Sequence, residues 1–162
     1  ANSGGQTVNS EDVWSTTMPY LRGKTDPYFD KQKHSSWKET ASIDDWLTFL
    51  KTMNVQVSQN TKFNFNQSSR QRFVLIENQP ILLTDIRMAF KLKSTFFSFE
   101  TSGNKIIFQG KGYGHGVGLS QESAMEMARK GKTYSEIVDF FYTGIKIIDM
   151  YQTTYLQTLL PE

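Results

Sequence analysis

Between Gly110 and Gly118 every second residue is a glycine, in the run Gly110-Lys111-Gly112-Tyr113-Gly114-His115-Gly116-Val117-Gly118-Leu119-Ser120-Gln121. Glycine belongs where the backbone must take left-handed angles or come close to another group, and it weakens a helix or strand interior. The run therefore reads as a shaped, backbone-lined turn. The segment before it, Lys105 to Gln109, has the pattern of a strand, and the segment after it, from about Ser120 to Lys130, that of a helix with Gly131 as its C-cap. A turn of this kind opening onto a helix N-terminus offers unpaired N–H donors to a ligand.

It is not a nucleotide loop. A P-loop requires Gly-Lys-Ser/Thr at the helix start, and the dinucleotide fingerprint requires G-x-G-x-x-G; Gly112-x-Gly114-x-x-Val117 and Gly114-x-Gly116-x-x-Leu119 both miss the third glycine. His115 stands among neighbours without side chains, so its imidazole either faces a cleft, where it can bond a sugar hydroxyl or exchange a proton, or packs inside the turn and bonds a backbone carbonyl. Ser120 reads as a helix N-cap rather than a nucleophile, since G-x-S-x-G is absent. Gln121 can offer its amide to a ligand or simply be a solvated first-turn residue. No metal is indicated, because His34 and His115 lie far apart without ligand spacing, and no cofactor is indicated either. Carboxyl groups for glycoside chemistry would have to come from Glu11, Asp12, Glu100 or Glu122; Glu11, Asp12 and Glu122 read as first-turn residues favoured by a helix dipole.

Elsewhere the pattern predicts a short helical turn at Ser10–Trp14 within an irregular, aromatic segment, and a helix over Ser42–Met53 capped by Ser42. It further predicts a polar loop or weak hairpin over 54–70 with Phe63 and Phe65 on one face, and a buried strand Phe73–Ile76. Thr84 is expected to cap a helix running to Phe90, followed by a hairpin of Ser94–Glu100 and Lys105–Gln109 across Thr101-Ser102-Gly103-Asn104. Thr133-Tyr134-Ser135-Glu136 is a capping box opening a second C-terminal helix that Gly144 ends, and Ile145 to Met150 read as a last strand. The fold class is α+β: one mixed domain over 1–162 with a β-hairpin, the glycine-rich loop and two consecutive C-terminal helices. Those helices are expected to pack on the sheet through Ala124, Met127, Ala128, Ile137, Val138 and Phe141.

Aromatic residues make up 14% of the chain, enough to build a core despite a modest 38% hydrophobic content. A net charge of +2 without blocks of like charge gives no reason to expect a nucleic-acid partner. The absence of cysteine excludes disulfides and thiolate metal sites. No run approaches the roughly 18 apolar residues of a membrane span, so the chain itself is not expected to cross one. The opening Ala1-Asn2-Ser3-Gly4-Gly5, polar and without an initiating Met, reads like the middle of a longer chain.

The glycine run, followed by Ala124, Met127-Ala128, Gly131, Tyr134, Ile137 and Phe141-Tyr142-x-Gly144, resembles the C-terminal signature of the SpoIID/LytB family. Leu92-Lys93-Ser94-Thr95-x-Phe97 is similar to that family's Leu-Arg-Ser-Thr-x-Phe strand, and Ser3-Gly4-Gly5-x-Thr7 with Trp14, Pro19-Tyr20-Leu21 and Asp26-Pro27 to its middle segment. The resemblance implies a protein of the bacterial envelope, outside the cytoplasm. Active members are lytic transglycosylases that cut peptidoglycan strands, in the best-known cases strands stripped of peptide stems during spore engulfment; others were named as amidase enhancers. It further implies that Ser3, Tyr113, His115 and Gln121 line a glycan cleft. The family's catalytic glutamate lies upstream of its Ser-Gly-Gly motif, so the acid has no counterpart here, the catalytic residue is unassigned, and the domain is expected to be incomplete at its N-terminus. Expected partners are peptidoglycan glycan strands, with an upstream segment or other cell-wall hydrolases as further ones. Two readings stay open: a lytic transglycosylase lacking its acid within the chain, or a non-catalytic glycan- or partner-binding module. Tyr20, Tyr28 and Phe29 would stack on sugar in either case, or else anchor their loop.

Overall fold

Two-residue alternation governs the main sheet of the computed structural model, which describes residues 1–58 and 61–149. In chain order the elements are α1 (Glu11–Trp14), β1 (Ser36–Ser42), α2 (Ile43–Thr52), β2 (Asn64–Phe65), β3 (Phe73–Ile76), β4 (Gln79–Leu82), α3 (Leu83–Ala89), β5 (Phe97–Ser102), β6 (Lys105–Lys111), α4 (Gln121–Arg129) and α5 (Tyr134–Phe141). The main sheet has the order β1-β6-β5-β2 with every pair antiparallel, and β3 and β4 form a separate hairpin. The fold is a mixed α+β domain, with the hairpin around Gly103 and the two C-terminal helices in place.

Register puts the core on one face of the sheet. Trp37, Gly110 and Phe97 stand side by side, followed by Phe108 beside Phe99. Gly110 is small for a reason: a Cβ there would come within 2.1 Å of the Trp37 ring. On this face pack Phe49 and Leu50 of α2, Leu83 and Ile86 of α3, and Val74, Ile76 and Ile81 of the hairpin. They surround Trp46, which is fully buried with its ring 5.0 Å from Phe99 and 5.5 Å from Phe90. Such tilted and edge contacts add stabilisation beyond the area that they bury.

The caps follow local sequence closely. Ser42 Oγ accepts the Asp45 N–H at the start of α2, Ser120 Oγ accepts the Ser123 N–H at the start of α4, and Thr133 with Glu136 makes the full capping box of α5. Other expectations need correction. Thr84 does not cap α3, whose N-cap is Leu82, without a side-chain bond. The strand Phe73–Ile76 is only half-buried, because it pairs with β4 across a turn in which Glu77 and Asn78 both have positive φ; Phe73 and Leu75 face outward. Among the described residues of 54–70 no hairpin forms within the stretch, which leaves the loop reading, and β2 adds to the edge of the main sheet beside β5. Residues 145–149 form no strand, and Met150 lies outside the described residues. The C-terminal helices do not pack on the sheet as expected. Met127, Ile137 and Phe141 form a second cluster with Tyr28, Leu119, Ala124, Phe140 and Tyr142, while Ala128 is exposed.

Candidate functional site

The glycine run takes the left-handed backbone angles that its composition predicts: φ is +76° at Gly112, +102° at Gly114, +82° at Gly116 and +68° at Gly118. A coil of this shape leaves backbone groups open for pairing, and the N-terminal segment pairs with it. Asn2 and Tyr113 exchange two backbone hydrogen bonds, of 3.0 and 2.8 Å, and the Val8 N–H donates to Gly116 O at 2.9 Å. A Cβ on Gly112 would lie 2.6 Å from Asn2 O, so the glycine is required by the close approach as well as by its angle. Between the two segments lies a recess of about 50 Å³ lined by Asn2, Ser3, Thr7, Tyr113 and residues 115–120. It can take the tip of a polar substituent, not a whole ring. A wider recess of about 680 Å³ lies along the open face of the sheet, among Ser36, Lys38, Asn66, Ser98, Gln109 and Lys111.

Beneath the recess is a buried latch. The Asp26 carboxylate, 1% exposed, accepts the hydroxyls of Ser3 and Ser123 at 2.6 Å each and the Tyr28 N–H at 3.0 Å. Ser120 Oγ lies 2.8 Å from Ser123 Oγ and accepts the Ser3 N–H at 3.2 Å. The burial of a carboxylate is offset by this set of donors. Ser3 thus lines the recess, but its own hydroxyl is committed to Asp26. Ser120 is the N-cap that the sequence indicates and a link in the latch as well.

A second brace comes from Arg70, in the stretch read from sequence as a polar loop. Its Nε donates to Gln6 O and its Nη2 to Ser3 O, both at 2.7 Å, and its Nη1 to Thr95 Oγ1 at 3.2 Å. The guanidinium also lies 5.0 Å from the Phe96 ring centre, and a Cβ on Gly116 would meet its carbon at 2.8 Å. Desolvation, then the nearby charge of Arg87, pulls Arg70 down to about 10, which leaves it charged at neutral pH.

Of the side chains expected at the cleft, Tyr113 is 47% exposed and Gln121 is also exposed, its Oε1 accepting from the Ala1 nitrogen at 2.6 Å. His115 is exposed too, yet it also does local work: its Nδ1 accepts the Val117 N–H at 3.0 Å. The turn is held through a backbone N–H, not through a carbonyl. Its ring sits 5.1 Å from that of Trp14. Desolvation, then the charges of Arg87 and Arg70, holds His115 below its ordinary pKa, so the neutral ring is favoured.

Glu122 is more than a dipole-favoured first-turn residue. It bonds His34 Nδ1 and accepts Asn2 Nδ2 at 2.8 Å. Burial would raise its carboxyl, but the bonds from His34 and Asn2 outweigh that and hold it below the ordinary carboxylate value. Glu11 is elsewhere, paired with Arg22, whose bond pulls it down to about 2. Of the aromatics, Tyr20 is exposed, whereas Tyr28 packs edge-on against Phe140 and Phe29 occupies the space where Gly5 would carry a Cβ.

The segments that meet at the recess are those that carry the sequence resemblance, and comparison with known proteins agrees. Stage II sporulation protein D of Bacillus amyloliquefaciens is 31% identical over 151 residues, covering 91% of this chain and 43% of that protein. Its Bacillus subtilis (strain 168) counterpart is 32% identical over 151 residues, with the same coverage. The chain is a homologue of the SpoIID/LytB proteins. Amidase enhancer of Bacillus subtilis (strain 168) matches at 28% identity over 200 residues, covering 89% of this chain and 28% of that protein. No family model matches the chain. This SpoIID/LytB homologue spans about two-fifths of the length of the sporulation proteins that it matches. Among its described residues no helix is long and apolar enough to cross a membrane.

Proposed function

We propose that this domain binds peptidoglycan glycan strands outside the cytoplasm, in the bacterial envelope, as the recognition half of a lytic transglycosylase whose acid comes from a segment outside residues 1–162. The observation that carries the reading is the joining of Asn2–Val8 to Tyr113–Val117, which turns two distant motifs into one surface with an exposed imidazole, phenol and amide. Such groups suit an uncharged, hydroxyl-rich ligand. Tyr113, His115 and Gln121 contact the sugar, and Ser3 sets the backbone beneath it.

A second reading, a binding module without catalysis that acts beside other cell-wall hydrolases, is favoured by the state of the carboxylates. Asp26 is enclosed by its donors and Glu122 is engaged by His34 and Asn2. One assay separates the two. Residues 1–162 alone should release no anhydro-sugar from peptide-free glycan, since a positioned acid is worth about 10²–10⁴-fold. Adding the upstream segment should restore cleavage, and changing its glutamate to Gln should abolish it. Failure of that addition to restore cleavage favours the binding module; turnover by 1–162 alone overturns the assignment of the acid.

A further inference from the structure

The chain has two histidines, each against an aromatic ring: His115 lines the recess, and His34 lies outside that lining against Tyr113, which belongs to it. His115 lies on Trp14 with ring centres 5.1 Å apart, and His34 on Tyr113 at 4.7 Å. Their Nδ1 atoms meet opposite partners. That of His115 accepts a backbone N–H from Val117. That of His34 meets Glu122 Oε1, a carboxylate oxygen that can only accept. In a neutral imidazole the partner of one nitrogen decides where the proton sits and so what the other nitrogen can do. His115 therefore carries its proton on Nε2, and His34 carries its proton on Nδ1 with Nε2 bare.

Glu122 is held for this role. Its Oε2 accepts Asn2 Nδ2 at 2.8 Å and the backbone N–H of His34 at 3.3 Å, so imidazole and carboxylate are locked from both ends. Glu126, one turn further along α4, is engaged with Gln32 and Arg129 and does not compete. The bonded pair leaves His34 with 30% of its side chain exposed and Glu122 with 16%, the geometry of an imidazole oriented from behind by a carboxylate.

We infer that the recess and the Tyr113 edge beside it present two imidazoles in opposite tautomers, His115 as a fixed N–H donor to the sugar and His34 as the acceptor of a sugar hydroxyl proton, with Glu122 as the positioning residue. The inference rests on the glycan reading above. In lytic cleavage a carboxylic acid gives its proton to the leaving O4 as the C1–O4 bond breaks, and the 6-hydroxyl oxygen bonds to C1. The proton released from that hydroxyl goes to His34 Nε2, the imidazolium being stabilised by Glu122. It then passes to solvent, from which the carboxylate is re-protonated, and both groups are restored. If the pair merely ties the 26–35 loop to α4, its Nε2 never meets a ligand.

The test uses residues 1–162 carrying ¹⁵N-histidine, observed by NMR at pH 8. Two opposite tautomers are expected, with a pyridine-type Nε2 on His34 and a pyrrole-type Nε2 on His115. A peptide-free tetrasaccharide of alternating N-acetylglucosamine and N-acetylmuramic acid should shift both Nε2 signals. Glu122→Leu should shift His34 toward the Nε2–H form and weaken the sugar several-fold; His34→Asn, which leaves Glu122 in place, should weaken it similarly. Matching tautomers overturn the inference. So does a sugar that shifts His115 and leaves His34 unmoved, an outcome under which the cleft reading survives. No binding at either imidazole overturns both.

Discussion

Removing the Asp26 carboxylate should cost the domain more than any surface change. Three donors reach it: the Ser3 hydroxyl, the Ser123 hydroxyl and the Tyr28 N–H. In Asp26→Ala the Ser123 hydroxyl can turn to Ser120 Oγ, 2.8 Å away, but the buried Ser3 hydroxyl and the part-buried Tyr28 N–H lose their acceptor. At about 1–3 kcal/mol for each group left without its partner, the loss is roughly 2–6 kcal/mol. For a chain of this size that is a fall of about 4–24 °C in Tm. Asp26→Asn keeps one carbonyl oxygen and should lose about half as much, whereas Asp139→Asn, at an exposed position, should change nothing measurable. Urea unfolding followed by tryptophan fluorescence gives the free energies. A loss below about 1 kcal/mol for Asp26→Ala would refute the latch as the element that fixes Ser3 against α4.

Phe141→Ala should cost about 3–5 kcal/mol in the same assay, since the ring is 1% exposed at the centre of the C-terminal cluster. Gly116→Ala combines a left-handed angle with a Cβ placed 2.8 Å from the Arg70 guanidinium, and should cost about 1–3 kcal/mol and weaken glycan binding. His115 titrates below its ordinary value of 6.5, so the folded state resists a proton that the unfolded chain accepts. Its stabilisation is whole above pH 6.5 and is lost as the pH falls through the folded value; His115→Gln should flatten that part of the pH–stability curve.

What the sequence discloses about this domain is what lies within a few residues. Ser42, Ser120 and the pair Thr133 and Glu136 announce their helices because a cap acts three positions away. The glycine run announces its angles for the same reason. β1 escaped notice because only Trp37 on it is fully buried, and β4 because its turn uses Glu77-Asn78, without the glycine that usually marks such a hairpin. The parts of the site that were missed are long-range pairings. Asp26 meets Ser123 across 97 residues, His34 meets Glu122 across 88, and Arg70 meets Gln6 across 64. Each is an ordinary polar residue in its own neighbourhood, and only the folded chain gives it a partner. The separate packing of the C-terminal helices was hidden likewise, since an apolar helix face does not say whether it meets a sheet or another helix.

The pairing of Asn2 with Tyr113 and of Val8 with Val117 also bears on the order of assembly. Both contacts close loops of more than a hundred residues, and closure entropy on that scale has to be met before any bond there can form. The sheet around Trp46 can organise from nearer neighbours, leaving the recess to be completed last. Once complete, it depends on a short edge of chain that can lift off without unfolding the core. Amide exchange at Asn2, Val8 and Tyr113 should accordingly run faster than at Phe99 or Phe108, and an occupant of the recess would slow it, acting as the clasp that keeps the two ends of the loop together.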